Sequence, residues 1–306
     1  MRGPQPWNLA CAMLLLAYAL LAGWRLAEPP QQIFDEIHHA YAALEMQDRD
    51  PTHARTHPLF PVAVTALVIK ASGTAIPPTS RPEFDGTATW PPATVWWWRV
   101  PTLAMAVVAL AALFGAGRTL GLAAPFALLA TAMLALDGCF FVMSRTYMTN
   151  VWELAWQMLA VAAVVRGIGG DRRWFLAAAT IAGVAIGTRL TSAPFTLLLA
   201  LWLAWRLRGD RPRFAYACAA FVLGTPLVYL ASWAPVVAIG PAPGAWDLLD
   251  PHAWWTRVIL AQANLVTGHM GGDLSAFPGN SAWWTWPLMN EPIWFWQLRE
   301  QGGRFR

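Results

Sequence analysis

HPLFPVAVTALVIKASG, residues 57–73, is apolar enough to resemble a bilayer crossing, and its reading decides the fold. Counted as a span, it inverts every later loop and moves the arginine clusters of the chain outside. Read as an interfacial or re-entrant helix, it leaves the remaining apolar runs in register with the charges. Two features favour the second reading. Pro58 and Pro61 stand at its start, where proline suits a first helical turn, and Lys70 is costly at mid-membrane.

Around this stretch lie runs at 8–27, 99–117, 122–142, 149–166, 174–190, 191–207 and 214–238. Each is close to the ~20 residues that a helix needs to cross a bilayer, which makes about seven spans. With 57% apolar and 12% charged residues among 306, and mean hydropathy of +0.41, the chain has too much apolar surface for one soluble core. The expected class is an all-α, polytopic membrane protein forming one transmembrane domain over residues 1–306. Cys11, Cys139 and Cys218 fall in or beside apolar runs, so they form neither a disulfide framework nor a CxxC site. The net charge of +4 is carried almost wholly by arginine, with Lys70 the only lysine, and it informs topology before it suggests nucleic acid.

Arginine in short loops marks the cytoplasmic side. If residue 1 starts inside, Arg118, the Arg166/Arg172/Arg173 group and the Arg206/Arg208/Arg211/Arg213 group all land there, and most acids face outside. The bacterial inner membrane, with the acids toward the periplasm, is the expected location. The AYA at 17–19 has the small-residue form of a signal cleavage site, yet the topology needs that run as a span. An external loop then covers 28–98, with two helices along the membrane surface. Its stretch 76–98 is rich in proline and reads as irregular, ending in Trp96, Trp97 and Trp98 at the headgroup level. A second external segment, tryptophan-rich and broken by Pro and Gly, covers 239–306.

The external ends of the spans carry the polar groups that matter. QQIFDEIHHAYAALEMQ, residues 31–47, sets Asp35, Glu36, His38 and His39 at the mouth of the first span. Arg99 starts the second, Asp137 and Arg145 end the third, Asn150 and Glu153 start the fourth, and Arg189 lies between the fifth and sixth. Individually these residues read as a solvated helix cap or as snorkelling arginines. Together they point to a polar cavity, since ionisable groups at a bilayer need partners or water. His53 and His57 are spaced i, i+4, but no HExxH is present and no metal site is assigned. The carboxylates leave room for Mg or Mn against a phosphate.

Five blocks in order carry a family resemblance: FDEIHHAYAALEMQ with THPLFPVAV, WWRVPTLAMAVVAL, LDGCFFVMSRTYMTN, GVAIGTRLTSAPF and NSAWWTWPLMNEPIWFW. They resemble the FDE...HPPLGK, WR(L)P, LDG...SRIAMLD, GxAxGxxxS and SxxWxWPLMxRPI segments of the protein O-mannosyltransferases. That resemblance implies the GT-C fold and transfer of a sugar, usually mannose, from a polyprenyl or dolichyl phosphate to Ser or Thr hydroxyls of secreted proteins, with inversion. The implied partners are the membrane lipid donor and a secreted acceptor, with a homo- or heterodimer allowed, and no cofactor is assigned beyond the lipid-linked donor. In the matched motif Asp35 is the base that takes the acceptor proton, assisted by Glu36. Fixed positive charge must meet the departing phosphate, and Arg99 is the first choice, then Arg145 and Arg189. His57 and His38 are expected to contact substrate or shape the loop, beside Asn150.

The chain departs from the family pattern at Asn150, where relatives carry aspartate, and at HPLFPV, which lacks a proline, the glycine and the lysine of HPPLGK. Relatives also continue past the WPLM stretch with further spans. Two other readings therefore stand beside the first: a GT-C enzyme modifying a lipid or envelope glycan, and a non-catalytic subunit or truncated homologue.

Overall fold

A computed structural model describes residues 6–33, 35–47, 58–74, 90–238, 249–259, 262 and 265. Among them the secondary structure is helical: α1 (Pro6–Gly23), α2 (Glu36–Gln47), α3 (Phe60–Ala71), α4 (Pro92–Thr119), α5 (Ala124–Ala135), α6 (Gly138–Ser144), α7 (Thr149–Gly169), α8 (Arg173–Thr188), α9 (Ser192–Leu207), α10 (Arg211–Ala219), α11 (Thr225–Ala231), α12 (Ala234–Ala238) and α13 (Pro251–Trp254). His57 and the block 280–296 lie outside the described residues.

The stretch on which the topology turned forms α3, with Pro61 in its first turn. Its 12 residues rise only ~18 Å at 1.5 Å per residue, too little to cross a ~30 Å hydrocarbon core. It packs instead on α2 and α4. Among the described residues, four helices are long and apolar enough to cross: α1, α4, α7 and the continuous run Arg211–Ala231, in which a π-turn joins α10 to α11. The run expected as one span at 122–142 is broken into α5 and α6 with a 67° bend, a fifth crossing if counted together. The break has a local cause, because the Asp137 carboxylate accepts from the Phe140 N–H at 2.7 Å and starts a new helix. The runs at 174–190 and 191–207 form α8 and α9, 16 residues and ~24 Å each.

Helix α4 begins earlier than the proline-rich reading of 76–98 allows. Pro91 and Pro92 open it rather than prevent it, since proline's missing N–H is unused in a first turn. Trp98 consequently lies inside a helix with 0% exposure, while Trp96 keeps 40%. Trp98 donates to the Glu36 carboxylate within the protein.

Three apolar clusters hold the bundle. One joins α1 to α4, α5, α6 and α7. A second joins α7, α8, α9 and α10. The third is a cap of α2, α3 and the start of α4 with Trp233, Val237, Ala253, Val258 and Leu265. The charges separate between the two ends. At one end Arg213 donates to the Gly167 carbonyl, Arg166 lies over Trp174 and Arg172 over Tyr216. At the other end, the junctions after α1, α6 and α8 converge beneath the cap, and that is where the chemistry-bearing residues sit.

Helices α8 and α11 approach closely because Gly183 carries no side chain. A Cβ there would stand 2.7 Å from the Thr225 carbonyl oxygen and 2.7 Å from Val228 Cβ. Small residues at such crossings let backbones pack where lipid offers no hydrophobic drive. Gly183→Ala should cost about 1–3 kcal/mol by overpacking, seen as a lower thermal midpoint in detergent. Gly115→Ala, with nothing within 4 Å of its added Cβ, should leave that midpoint unchanged or raise it.

Candidate active site

Adjacent residues Asp35 and Glu36 have different fates. Glu36 opens α2 and is wholly buried, as is Arg99 on α4. Its Oε2 accepts from the Ile33 N–H at 3.1 Å, reaching back across the helix start as a capping-box glutamate does. Its Oε1 accepts from Trp98 Nε1 at 3.0 Å, Arg99 Nε at 2.8 Å and the Tyr147 N–H at 3.0 Å. Arg99 Nη2 donates to Oε2 at 2.7 Å.

The rest of the Arg99 guanidinium is equally committed. Nη1 donates to the Leu26 and Pro29 carbonyls and Nη2 to that of Gln31, each at 3.0 Å. An arginine has five N–H donors, and here five acceptors take them. Arg99 therefore has no free donor for a phosphate, against the role first expected of it. The pair instead pins the loop between α1 and α2 to α4 and to the α6–α7 elbow. An open groove of about 580 Å³ between that loop and Pro92 and Trp96 borders the pin, and Asp35 does not line it.

Arg145 also works on backbone. Its Nη1 donates to the Leu21, Ala22 and Trp24 carbonyls at 3.2, 2.7 and 2.8 Å, and Nη2 to that of Arg25 at 3.1 Å. Leu21 and Ala22 lie in the last turn of α1 and Trp24 and Arg25 in the turn that follows, a carbonyl-rich end that a cation suits by charge and by hydrogen bonding. Arg145 thus ties the α6–α7 elbow to the end of the first span.

Asp35 is half-buried. Burial pushes its carboxyl above the ordinary aspartate value, while positive charge at His38 and at Arg189 pulls it back. His38 is exposed, and His39 is buried with its ring 5.4 Å from that of Tyr147.

The Arg189 cation comes from the break between α8 and α9, where its extended backbone (φ −151°, ψ 135°) ends α8. Its Nη1 donates to the Thr149 hydroxyl and to the Asn150 amide oxygen, each at 3.0 Å. Its Nε stands 3.4 Å from Glu153 Oε2 without a hydrogen bond among the described residues. Glu153 Oε1 accepts from Gln157 Nε2 at 3.2 Å and from the Thr191 and Ser192 hydroxyls at 2.7 and 2.9 Å.

The structure therefore draws Asp35, His38, Arg189 and Asn150 into one electrostatic group, and sets Glu36–Arg99 and Arg145 beside it as fastenings. Among the described residues, no three His, Cys, Asp or Glu side chains gather as a metal-binding group. The Glu153–Gln157–Ser192 network was missed as a site. Its signal was present, since Asn150, Glu153 and Gln157 recur at i, i+3 and i+7 in an otherwise apolar helix.

A half-buried carboxylate within electrostatic reach of a fixed guanidinium can accept a proton from a hydroxyl, while the guanidinium opposes an anionic leaving group. The overall architecture resembles a structure of the S. cerevisiae protein O-mannosyltransferase Pmt1-Pmt2 complex bound to the sugar donor, at TM-score 0.64 and 19% identity. The match covers 80% of this chain and 35% of the solved one, so this chain spans about a third of that protein's length. No curated protein matches. Residues 11–236, running from α1 through α11, match the family description dolichyl-phosphate-mannose-protein mannosyltransferase, and the chain belongs to that family of integral membrane proteins.

Proposed function

We propose that the chain transfers mannose from a polyprenyl or dolichyl phosphate to Ser or Thr hydroxyls of secreted proteins. Asp35 is the general base and Arg189 the cation that meets the phosphate. The observation that carries this reading is geometric: a half-buried Asp35 carboxyl at the start of α2 lies within electrostatic reach of Arg189, which Thr149 and Asn150 hold at the α8–α9 break. A lipid donor reaches that place from the bilayer and a peptide reaches it from outside. The end that holds Asp35 faces the periplasm in a bacterial inner membrane, the arrangement in which the clustered arginines stay inside.

In the reaction, the acceptor oxygen attacks the anomeric carbon as its proton passes to Asp35. The bond from that carbon to the phosphate oxygen breaks, and polyprenyl phosphate leaves with the electron pair and an inverted sugar behind it. Arg189, held by Thr149 and Asn150, is assigned to meet that charge. Glu36, Arg99 and Arg145 are positioning residues, and His57 and His38 are assigned contact with substrate. A second subunit, as in the yeast complex, belongs to the same proposal.

The test is transfer of radiolabelled mannose from polyprenyl phosphate mannose to a Ser/Thr-rich peptide, in membranes holding the wild-type chain or Arg189→Ala. Wild type should form labelled peptide, and the variant should lose about 10²–10³ in rate. Removing the cation also removes its pull on Asp35, so the acid limb of any residual activity should move to higher pH. Label that reaches only lipid acceptors, or no label at all from a folded wild-type chain, overturns the reading.

A further inference from the structure

We propose that Glu153 and Arg189 together read one hydroxyl of the donor's sugar, making Glu153 a specificity-determining residue. This rests on the reading above and deepens it. Glu153 lies one turn inside α7 from Asn150, with Gln157 one turn further in, and it keeps 14% side-chain exposure against 18% for Arg189. An ionised pair at that depth is costly unless it serves something.

The two oxygens of Glu153 are used unequally. Oε1 is fully engaged by Gln157, Thr191 and Ser192, which fix the carboxylate in one orientation. Oε2 faces Arg189 Nε at 3.4 Å, and that buried N–H lacks a hydrogen bond among the described residues. A buried donor left unmade is expensive. Oε2 and Nε thus stand side by side as one acceptor and one donor, and a group that donates to the first while accepting from the second satisfies both. A hydroxyl does this; a phosphate oxygen does not, because it has no proton to give to Oε2. Arg189 Nη1 is meanwhile occupied by Thr149 and Asn150 and Nε faces Glu153, which leaves Nη2 for the phosphate. One arginine thereby links the leaving group to the sugar ring, and the α8–α9 turn that carries it sets their spacing.

Glu153→Gln isolates the idea. Its amide oxygen can keep the place of Oε1 among Gln157, Thr191 and Ser192, while its amide nitrogen replaces the acceptor facing Arg189. Using the full chain in membranes, we would measure donor KM, acceptor KM and donor Kd with polyprenyl phosphate mannose and its 2-, 3-, 4- and 6-deoxy analogues. Donor KM and Kd should rise about 10- to 100-fold in the variant, as expected for a lost hydrogen bond to a charged group, with acceptor KM unchanged. One deoxy donor should suffer that same loss with wild type and no further loss with the variant. The proposal is overturned if the variant matches wild type for mannose, if every deoxy donor loses equally in both proteins, or if the variant merely lowers the thermal midpoint. A wild-type chain that neither binds nor transfers mannose from the lipid brings down the underlying reading as well. A wild type that transfers normally beside an unaffected variant brings down this inference alone.

Discussion

Asp35→Asn should abolish sugar transfer while leaving the protein at least as stable as wild type at neutral pH. The rate loss follows from removing the proton acceptor from a reaction whose nucleophile is an alcohol, worth about 10²–10⁴ for a general base. The stability claim follows from the environment of the carboxyl. Asp35 is half-buried, and burial raises its pKa against the pull of His38 and Arg189. A carboxyl whose folded pKa lies above its unfolded one binds its proton more tightly in the native state. Its contribution to stability is therefore greatest at low pH and is lost as pH rises from the unfolded pKa through the folded one. At neutral pH the wild-type residue is ionised where the fold disfavours the charge, and an uncharged asparagine removes that penalty.

The same displacement sets the wild-type pH profile. The acid limb of kcat/KM should lie above the ordinary aspartate value of about 4. Rates at saturating donor, thermal midpoints at two pH values and one pH profile check all of this. Asp35→Asn turning over at more than a tenth of the wild-type rate would remove Asp35 from the mechanism.

Much of this was legible in the sequence because membrane chemistry is severe. Apolar runs have to be helices, and arginines in short loops have to lie together, so the helical bundle and the gathering of residues from four junctions at one end followed from pattern alone. What remained hidden was how each charge is spent. Asp35 and Glu36 are neighbours in sequence, yet the start of α2 leaves one half-buried, in the field of His38 and Arg189, and drives the other into a cage of five hydrogen bonds. Arg99 looks like a free cation at a span's start, but three of its acceptors are backbone carbonyls of residues 26–31, which no residue pattern displays. The break at Asp137 was similarly concealed, since a run of apolar residues does not reveal that one carboxylate will cap a new helix inside it.

That difference between neighbours makes Glu36→Gln the complementary experiment, expected to lose activity by losing structure. Glu36 and Arg99 are both 0% exposed and joined through two charged hydrogen bonds at 2.8 and 2.7 Å. Breaking a buried pair by neutralising one partner leaves the other charge uncompensated, at a cost of about 3–5 kcal/mol. The amide makes matters worse locally, because its N–H₂ must point at donors from Trp98, Tyr147 or Ile33 that had faced an oxygen. Arg99→Met should be as damaging by another route, since it strips the Leu26, Pro29 and Gln31 carbonyls of their partner and frees the loop that carries Asp35. The double variant should fall less than the sum of the two, because it no longer strands a charge. Thermal midpoints in detergent and protease cleavage within residues 24–35 measure this directly. An activity assay alone scores Asp35→Asn and Glu36→Gln alike; stability separates them, the first dead and folded, the second dead and loosened. If Glu36→Gln instead keeps the wild-type midpoint and protease resistance while transfer disappears, Glu36 takes part in the chemistry and the pin is not what holds the loop.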